Sequence, residues 1–295
     1  MLNFLKSGKV NLTVTIDRDS QIYYPGDPVK ATVTLESARE LKIRAGHVAL
    51  VCQEDFQYCY ETTDSDGDSS TSTMWGQTKH PIEQRYFLVE TTLPANTRHT
   101  DEFSFSIPPA APPTGSGSIF RLKWIVEARL DRKLAGDLYG EAEAIVMSTP
   151  PGQLVTPGEY GESNEPYEAE LAFFLPGQEW VRGQTLAGEF RVHPHNEFTA
   201  SEVRIELVQR EYVPHDEGNL AERTVMKVKL AGKTQFRTDQ PQAFPLQMTI
   251  PDDALPTTVA KEGSIKWRLK GILARTLRSD THVDEEIMVY TAPSG

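Results

Sequence analysis

The chain carries one pattern twice, and this repetition constrains its fold more than any local propensity does. In the first half, Tyr24-Pro25-Gly26-Asp27 leads into Pro28-Val29-Lys30-Ala31-Thr32-Val33-Thr34-Leu35. In the second, Leu175-Pro176-Gly177-Gln178 leads towards Thr185-Leu186-Ala187-Gly188-Glu189-Phe190-Arg191-Val192. A second matched pair follows in the same order. Phe103 to Pro108 and then Ser118-Ile119-Phe120-Arg121-Leu122-Lys123-Trp124-Ile125-Val126 stand against Phe244 to Pro251 and then Ser264-Ile265-Lys266-Trp267-Arg268-Leu269. Shared order in both halves implies two related domains in tandem, because internal similarity bears on the whole architecture. Trp124 and Trp267 take closely similar repeat positions, offset by a few residues, and read as core plugs.

Period-two alternation dominates the rest. Val10, Leu12, Val14 and Ile16 alternate with polar residues, as do Phe244, Leu246, Met248 and Ile250. The longest such run places Leu122, Trp124, Val126, Ala128 and Leu130 on one face and Arg121, Lys123, Glu127 and Arg129 on the other. Alternation of this kind buries one side-chain set and leaves the other in water. No window shows a helical stripe, so the expected class is all-β, as two tandem immunoglobulin-like β-sandwiches. The expected domains are residues 1–148 and 168–295, with the Pro- and Gly-rich stretch 149–167 as linker. Thr62 to Pro81, with its acidic and Ser/Thr runs, is expected to be a mobile loop.

Composition narrows the partners. The 295 residues suffice for two domains of ordinary size, each with its own core. Thirty Lys and Arg against 42 Asp and Glu leave a net charge of −12, which disfavours nucleic acid and anionic membranes. Protein partners are expected instead. Cys52 and Cys59 match neither a redox pair nor a zinc set and read as reduced thiols in or beside a core strand. The first residues, Met1-Leu2-Asn3-Phe4-Leu5-Lys6, hold too short an apolar run for a signal peptide. No stretch approaches the roughly 20 apolar residues of a membrane span, and a cytoplasmic location is expected.

No constellation argues for catalysis. His193-Pro194-His195 could aim two imidazoles at one metal, yet only Glu197 stands near in sequence, and water-facing strand-end histidines are expected. Asp64-Ser65-Asp66-Gly67-Asp68 departs from a calcium loop, with Ser69 and Trp75 where Gly and Glu belong. Gly115-Ser116-Gly117-Ser118 precedes a strand and not a helix, so it reads as a flexible turn and not as a phosphate loop or nucleophile elbow. No catalytic residue, metal or cofactor is expected.

The order of these elements resembles the arrestin fold. In each half a strand, a Pro-Gly turn and a strand lead to a β-pair at Ile43 to Val51 and Glu202 to Gln209. The later block, ending in Ile-Pro before a Pro/Gly loop and a long strand, is similar too (Ser118 to Leu130; Ser264 to Leu277). The resemblance covers almost the whole chain and implies two arrestin-like sandwiches doing adaptor or scaffold work, closest in character to the bacterial sporulation-control proteins. The Pro-Pro-x-Tyr motifs of α-arrestins are missing: Pro112-Pro113-Thr114-Gly115 and Pro150-Pro151-Gly152-Gln153 both fail at the tyrosine. Receptor arrestins read phosphates with basic residues of the first strand; Lys6 and Lys9 stand there without a paired motif. Lys6, Lys9, Lys30 and Lys123 are the candidate partner-binding residues, as contacts for anionic groups, with a hinge around Pro150 to Pro157. The alternative function is a structural unit that forms homo-oligomers through edge strands.

Overall fold

The computed structural model describes residues 10–63, 67–133, 135–152, 157–215 and 217–293, and among these it contains strands and no helix. The first ten strands are β1 (Val10–Ile16), β2 (Ile22–Tyr23), β3 (Pro28–Ser37), β4 (Leu41–Thr63), β5 (Ser69–Leu88), β6 (Thr91–Leu93), β7 (Thr97–Ser106), β8 (Gly115–Ser116), β9 (Phe120–Arg132) and β10 (Leu138–Val146). They form the sheets β1-β3-β7 and β2-β10-β9-β4-β5, with β6 on β4 and β8 on β9.

The later strands are β11 (Gly158–Tyr160), β12 (Glu162–Ser163), β13 (Ala169–Leu175), β14 (Glu179–Val181), β15 (Thr185–Pro194), β16 (Phe198–Ala200) and β17 (Glu202–Val213). After them come β18 (Asn219–Ala231), β19 (Thr234–Phe236), β20 (Gln242–Thr249), β21 (Thr258–Val259), β22 (Ser264–Ala274) and β23 (Thr281–Tyr290). Their sheets are β11-β13-β15-β20 and β12-β23-β22-β17-β18, with β14 on β23, β21 on β22 and a separate β16-β19 pair. The proline-rich stretch after residue 148 thus contributes two short strands, β11 and β12.

The chain forms two compact units. One takes residues up to Phe56 with Trp75–Ser116 and Arg121–Met147; the other takes Gln57–Met74, Gly117–Phe120 and the chain from Ser148 onward.

The strand orders repeat, and so do the bonds that fix them. β2 pairs with β10 in parallel, placing Tyr23 opposite Val146; β14 pairs with β23 in parallel, placing Trp180 opposite Val289. Trp124 Nε1 donates to Pro112 O at 3.0 Å and Trp267 Nε1 to Leu255 O at 2.8 Å, each acceptor 12 residues upstream. Val146 N donates to Thr114 Oγ1 and Val289 N to Thr257 Oγ1, both at 2.9 Å and both 32 residues apart. The two tryptophans are therefore equivalent with no offset: Leu122, Trp124, Val126 and Leu130 match Ile265, Trp267, Leu269 and Leu273, all essentially buried. Alignment by the Ser-Ile pairs misplaced them, because outward serines carry no packing information.

The turn of the second half is also displaced from its expected place. In the first, Asp27 N donates to Tyr24 O at 2.9 Å and Tyr24 N to Asp27 Oδ2 at 3.1 Å. The equivalent bonds in the second join Gln184 N to Val181 O at 3.0 Å and Val181 N to Gln184 Oε1 at 2.9 Å. The repeated turn is Val181-Arg182-Gly183-Gln184 and not Leu175-Pro176-Gly177-Gln178. What such a turn needs is a residue free to take positive φ at its third position, and Gly26 (φ 91) and Gly183 (φ 78) supply it. Proline at the second position is optional.

Two further expectations change. Most of Thr62 to Pro81 is strand: β4 runs to Thr63 and β5 begins at Ser69, and the two strands pair. Both faces of β5 are largely exposed there, so no apolar alternation marks it, although Ser and Thr satisfy a ladder as well as valine does. Residues 64–66 of the acidic run lie outside the described residues. Of the segment expected as a flexible turn, Gly115–Ser116 is strand β8 and Gly117-Ser118 is held within the second unit. Glu211, 4% exposed, accepts from Ser118 N at 2.9 Å, Ile119 N at 2.8 Å and Phe120 N at 3.3 Å, and from Ser118 Oγ and Gln209 Nε2. A Cβ at Gly117 would stand 2.3 Å from Glu211 Oε2, so a side chain there would displace that carboxylate.

Candidate partner-binding face

The outward face of the β9-β4-β5 region departs from a sheet surface that is simply wet. The run Val48-Ala49-Leu50-Val51-Cys52 in β4 is buried on both faces. Leu50 and Cys52 sit within the first unit, where burial, followed by the charge of Glu54, pushes the Cys52 thiol up to about 12. Cys59 is also a free thiol. Ala49 and Val51 point the other way and form a small cluster with Ile125, which is 1% exposed on the face opposite Trp124.

Two straps cross β4 above this floor. Trp75 of β5 lies under Arg121 of β9, with the guanidinium carbon 4.6 Å from the ring centroid. Lys79 of β5 forms an ion pair with Glu127 of β9. Lys123 stands on β9 between the two. A third group walls the floor: Gln53 Nε2 and Gln77 Nε2 both donate to Asp55, at 3.0 and 2.7 Å from Oδ1. Arg121 and Lys123 form no ion pair among the described residues. The face therefore offers two unneutralised cations, an aromatic ring and a buried apolar floor.

The matching face of the second unit is arranged differently. Arg204 lies 2.9 Å from Glu206, 3.4 Å from Asp280 and 3.7 Å from Glu202. Lys227 and Lys229 reach Glu206 and Glu202. Lys266, the equivalent of Lys123, pairs with Glu286 at 3.0 Å, and Arg268 and Lys270 both approach Asp284 at 3.9 Å. Cross-strand opposite charges of this kind neutralise a sheet face against solvent.

Of the four candidate lysines, the two described ones stand on different sheets. Lys6 and Lys9 lie outside the described residues. Lys30 is exposed on β3, opposite Ser104 of β7, on the outward side of the smaller sheet; Lys123 lies on the outward side of the larger one. The outward sides of two sheets sharing a core face away from each other. Of the expected hinge, residues 153–156 lie outside the described residues. Trp75, Arg121 and the Ala49–Val51–Ile125 floor escaped sequence reasoning. The available signal was the unbroken apolar triplet Trp124-Ile125-Val126, which interrupts the alternation where the strand is covered on both sides.

Residues 12–149 match the family model described as Arrestin (or S-antigen), N-terminal domain. No curated protein matches the chain.

Proposed function

We propose, from the match of residues 12–149 to the N-terminal arrestin domain, that this chain is a non-enzymatic arrestin-fold adaptor. It captures a protein partner on the outward β9-β4-β5 face of its first sandwich. The observation that carries this reading is the contrast between that face, with Arg121 and Lys123 unpaired beside an apolar floor, and its self-neutralised counterpart in the second unit. The partner's chemistry follows from the lining: a segment with carboxylate or phosphorylated side chains flanking one apolar anchor. Opening the Lys79–Glu127 strap costs little, since exposed ion pairs are worth about 0–1 kcal/mol. Burying an apolar anchor on the floor offsets that cost at about 25 cal/mol per Å².

The test is site-specific photo-crosslinking in the native host, with the crosslinker at position 123 or, in parallel, at position 266. Discrete adducts from position 123 with none from 266 support the reading; equal or absent labelling at 123 contradicts it.

A second reading, a homo-oligomer built through edge strands, draws on β5, which ends its sheet with no strand beyond it among the described residues. Against it, Lys79, Pro81, Glu83 and Arg85 punctuate that edge, the residues that keep edges from pairing. Sedimentation velocity separates the two, with a concentration-independent monomer expected.

A further inference from the structure

His193 and His195 face one side of the chain at the end of β15, their ring centroids 5.0 Å apart. Folding brings two carboxylates to them that are distant in sequence. Glu170 of β13 stands opposite His193 in the ladder, with its oxygens 3.8 Å from His193 Nδ1 and 3.2 Å from His195 Nε2. Asp239 is fixed on the other side by its own backbone, whose N–H donates to Pro194 O at 2.9 Å. Its Oδ1 lies 4.0 Å from His193 Nε2.

One ligand atom each from His193, His195 and Asp239 lies within 4.8 Å of the other two. Nitrogen and oxygen ligands sit about 2.0–2.2 Å from zinc, so a shared ion requires separations of at most about 4 Å. The side chains are partly exposed and must draw closer to share one.

We propose that His193, His195 and Asp239 form a binding site for a divalent transition-metal ion of the zinc class, with Glu170 as the carboxylate that orients the His195 imidazole. The donor set decides the class. Two imidazoles with a carboxylate suit zinc, copper or nickel, whereas calcium and magnesium require all-oxygen cages. Glu170 accepts a hydrogen bond from His195 Nε2 at 3.2 Å, the carboxylate–histidine contact that fixes a ligand's tautomer and leaves Nδ1 for the ion, while His193 Nε2 faces Asp239 Oδ1. Three protein ligands leave a fourth position open. A groove of about 320 Å³, which His193 and Glu170 line with Arg191 and Gln242, lies beside the cluster. This site is separate from the partner-binding face and does not depend on the adaptor reading.

Calorimetric titration of the untagged full chain with ZnCl₂ tests the proposal, paired with the visible absorption of the Co²⁺ form. The expected result is one saturable site, reversed by chelator, with Co²⁺ bands of a four-coordinate ion and no response to Ca²⁺ or Mg²⁺. The double variant His193→Ala/His195→Ala abolishes it. Asp239→Asn, at a φ of 54 that asparagine also tolerates, weakens it without disturbing the fold. Glu170→Gln weakens it about tenfold, and Cys59→Ser leaves it unchanged. Absence of saturable Zn²⁺ binding, binding that survives the double histidine variant, or binding lost in Cys59→Ser overturns the proposal.

Discussion

The two sandwiches are built on one frame and differ in what they do with their outward charges. Inside, the correspondence is residue for residue: Trp124 and Trp267 plug equivalent positions and donate to equivalent carbonyls. Outside, the second unit satisfies its cations on its own carboxylates, whereas the first leaves Arg121 and Lys123 open over Ala49, Val51 and Ile125. Packing fixes the interior because a buried side chain must fit every neighbour. The outward face is free to diverge, so the difference between the units is where binding specificity is to be sought.

The strongest way to break the comparison lies in the frame itself. Trp124→Ala and Trp267→Ala should each cost about 3–5 kcal/mol, the range for deleting a large buried aromatic. Urea denaturation should show the two losses within about 1 kcal/mol of each other. Clearly unequal costs would mean that the tryptophans do not hold equivalent places.

Next comes a feature that the first unit handles differently. The displacement that carries Tyr23 onto Trp180 and Gly26 onto Gly183 also carries Glu54 onto Glu211, and both carboxylates are buried. Glu54 approaches His80 at 3.1 Å, whereas Glu211 gathers backbone N–H groups. Glu211→Gln places an amide donor against those N–H groups and should cost about 2 kcal/mol. Faster hydrogen exchange at Ser118 and Ile119 would accompany it. An unchanged exchange rate there would show that the carboxylate does not hold the segment.

The smallest effect is electrostatic and sits in the repeated turn. Burial works against the Asp27 carboxylate, but the bonds from Arg18, 2.6 Å away, and from Tyr24 N outweigh it and hold its pKa below the usual value. Gln184, in the equivalent place, does not titrate. A lowered folded-state pKa means that the stabilisation is present above the unfolded value of about 3.9 and is lost as pH falls through the lower folded value. Acid should therefore loosen the Gly26 amide before the Gly183 amide in exchange measurements. Asp27→Asn should remove the difference, at a cost under about 1 kcal/mol for this partly exposed pair. Equal pH dependence of the two amides would contradict the assignment.

The frame was legible where burial is one-sided. The alternation of Leu122, Trp124, Val126 and Leu130, and of Ile265, Trp267, Leu269 and Leu273, announces strands with a dry and a wet face. The turn was legible in kind but not in place, since Pro176-Gly177 drew attention away from Arg182-Gly183, which has the same backbone requirement without proline. β5 was hidden because its faces are both largely wet, and a strand without a dry side leaves no period in its hydrophobicity. The candidate sites were hidden for another reason. Trp75 meets Arg121, and His193 meets Glu170 and Asp239, only through strand pairing across long stretches of chain, and local spacing carries no trace of such meetings.

The central claim is that the open cations of the first sandwich, and not the paired ones of the second, read the partner. Its most direct measurement is the affinity of the crosslinked partner, once purified, for three proteins: the wild type, Arg121→Glu/Lys123→Glu and Lys266→Glu/Arg268→Glu. The first variant should lose at least about tenfold, near 1.4 kcal/mol, while the second stays within about twofold of wild type. An unaffected first variant, or a second variant that loses as much, would contradict the account.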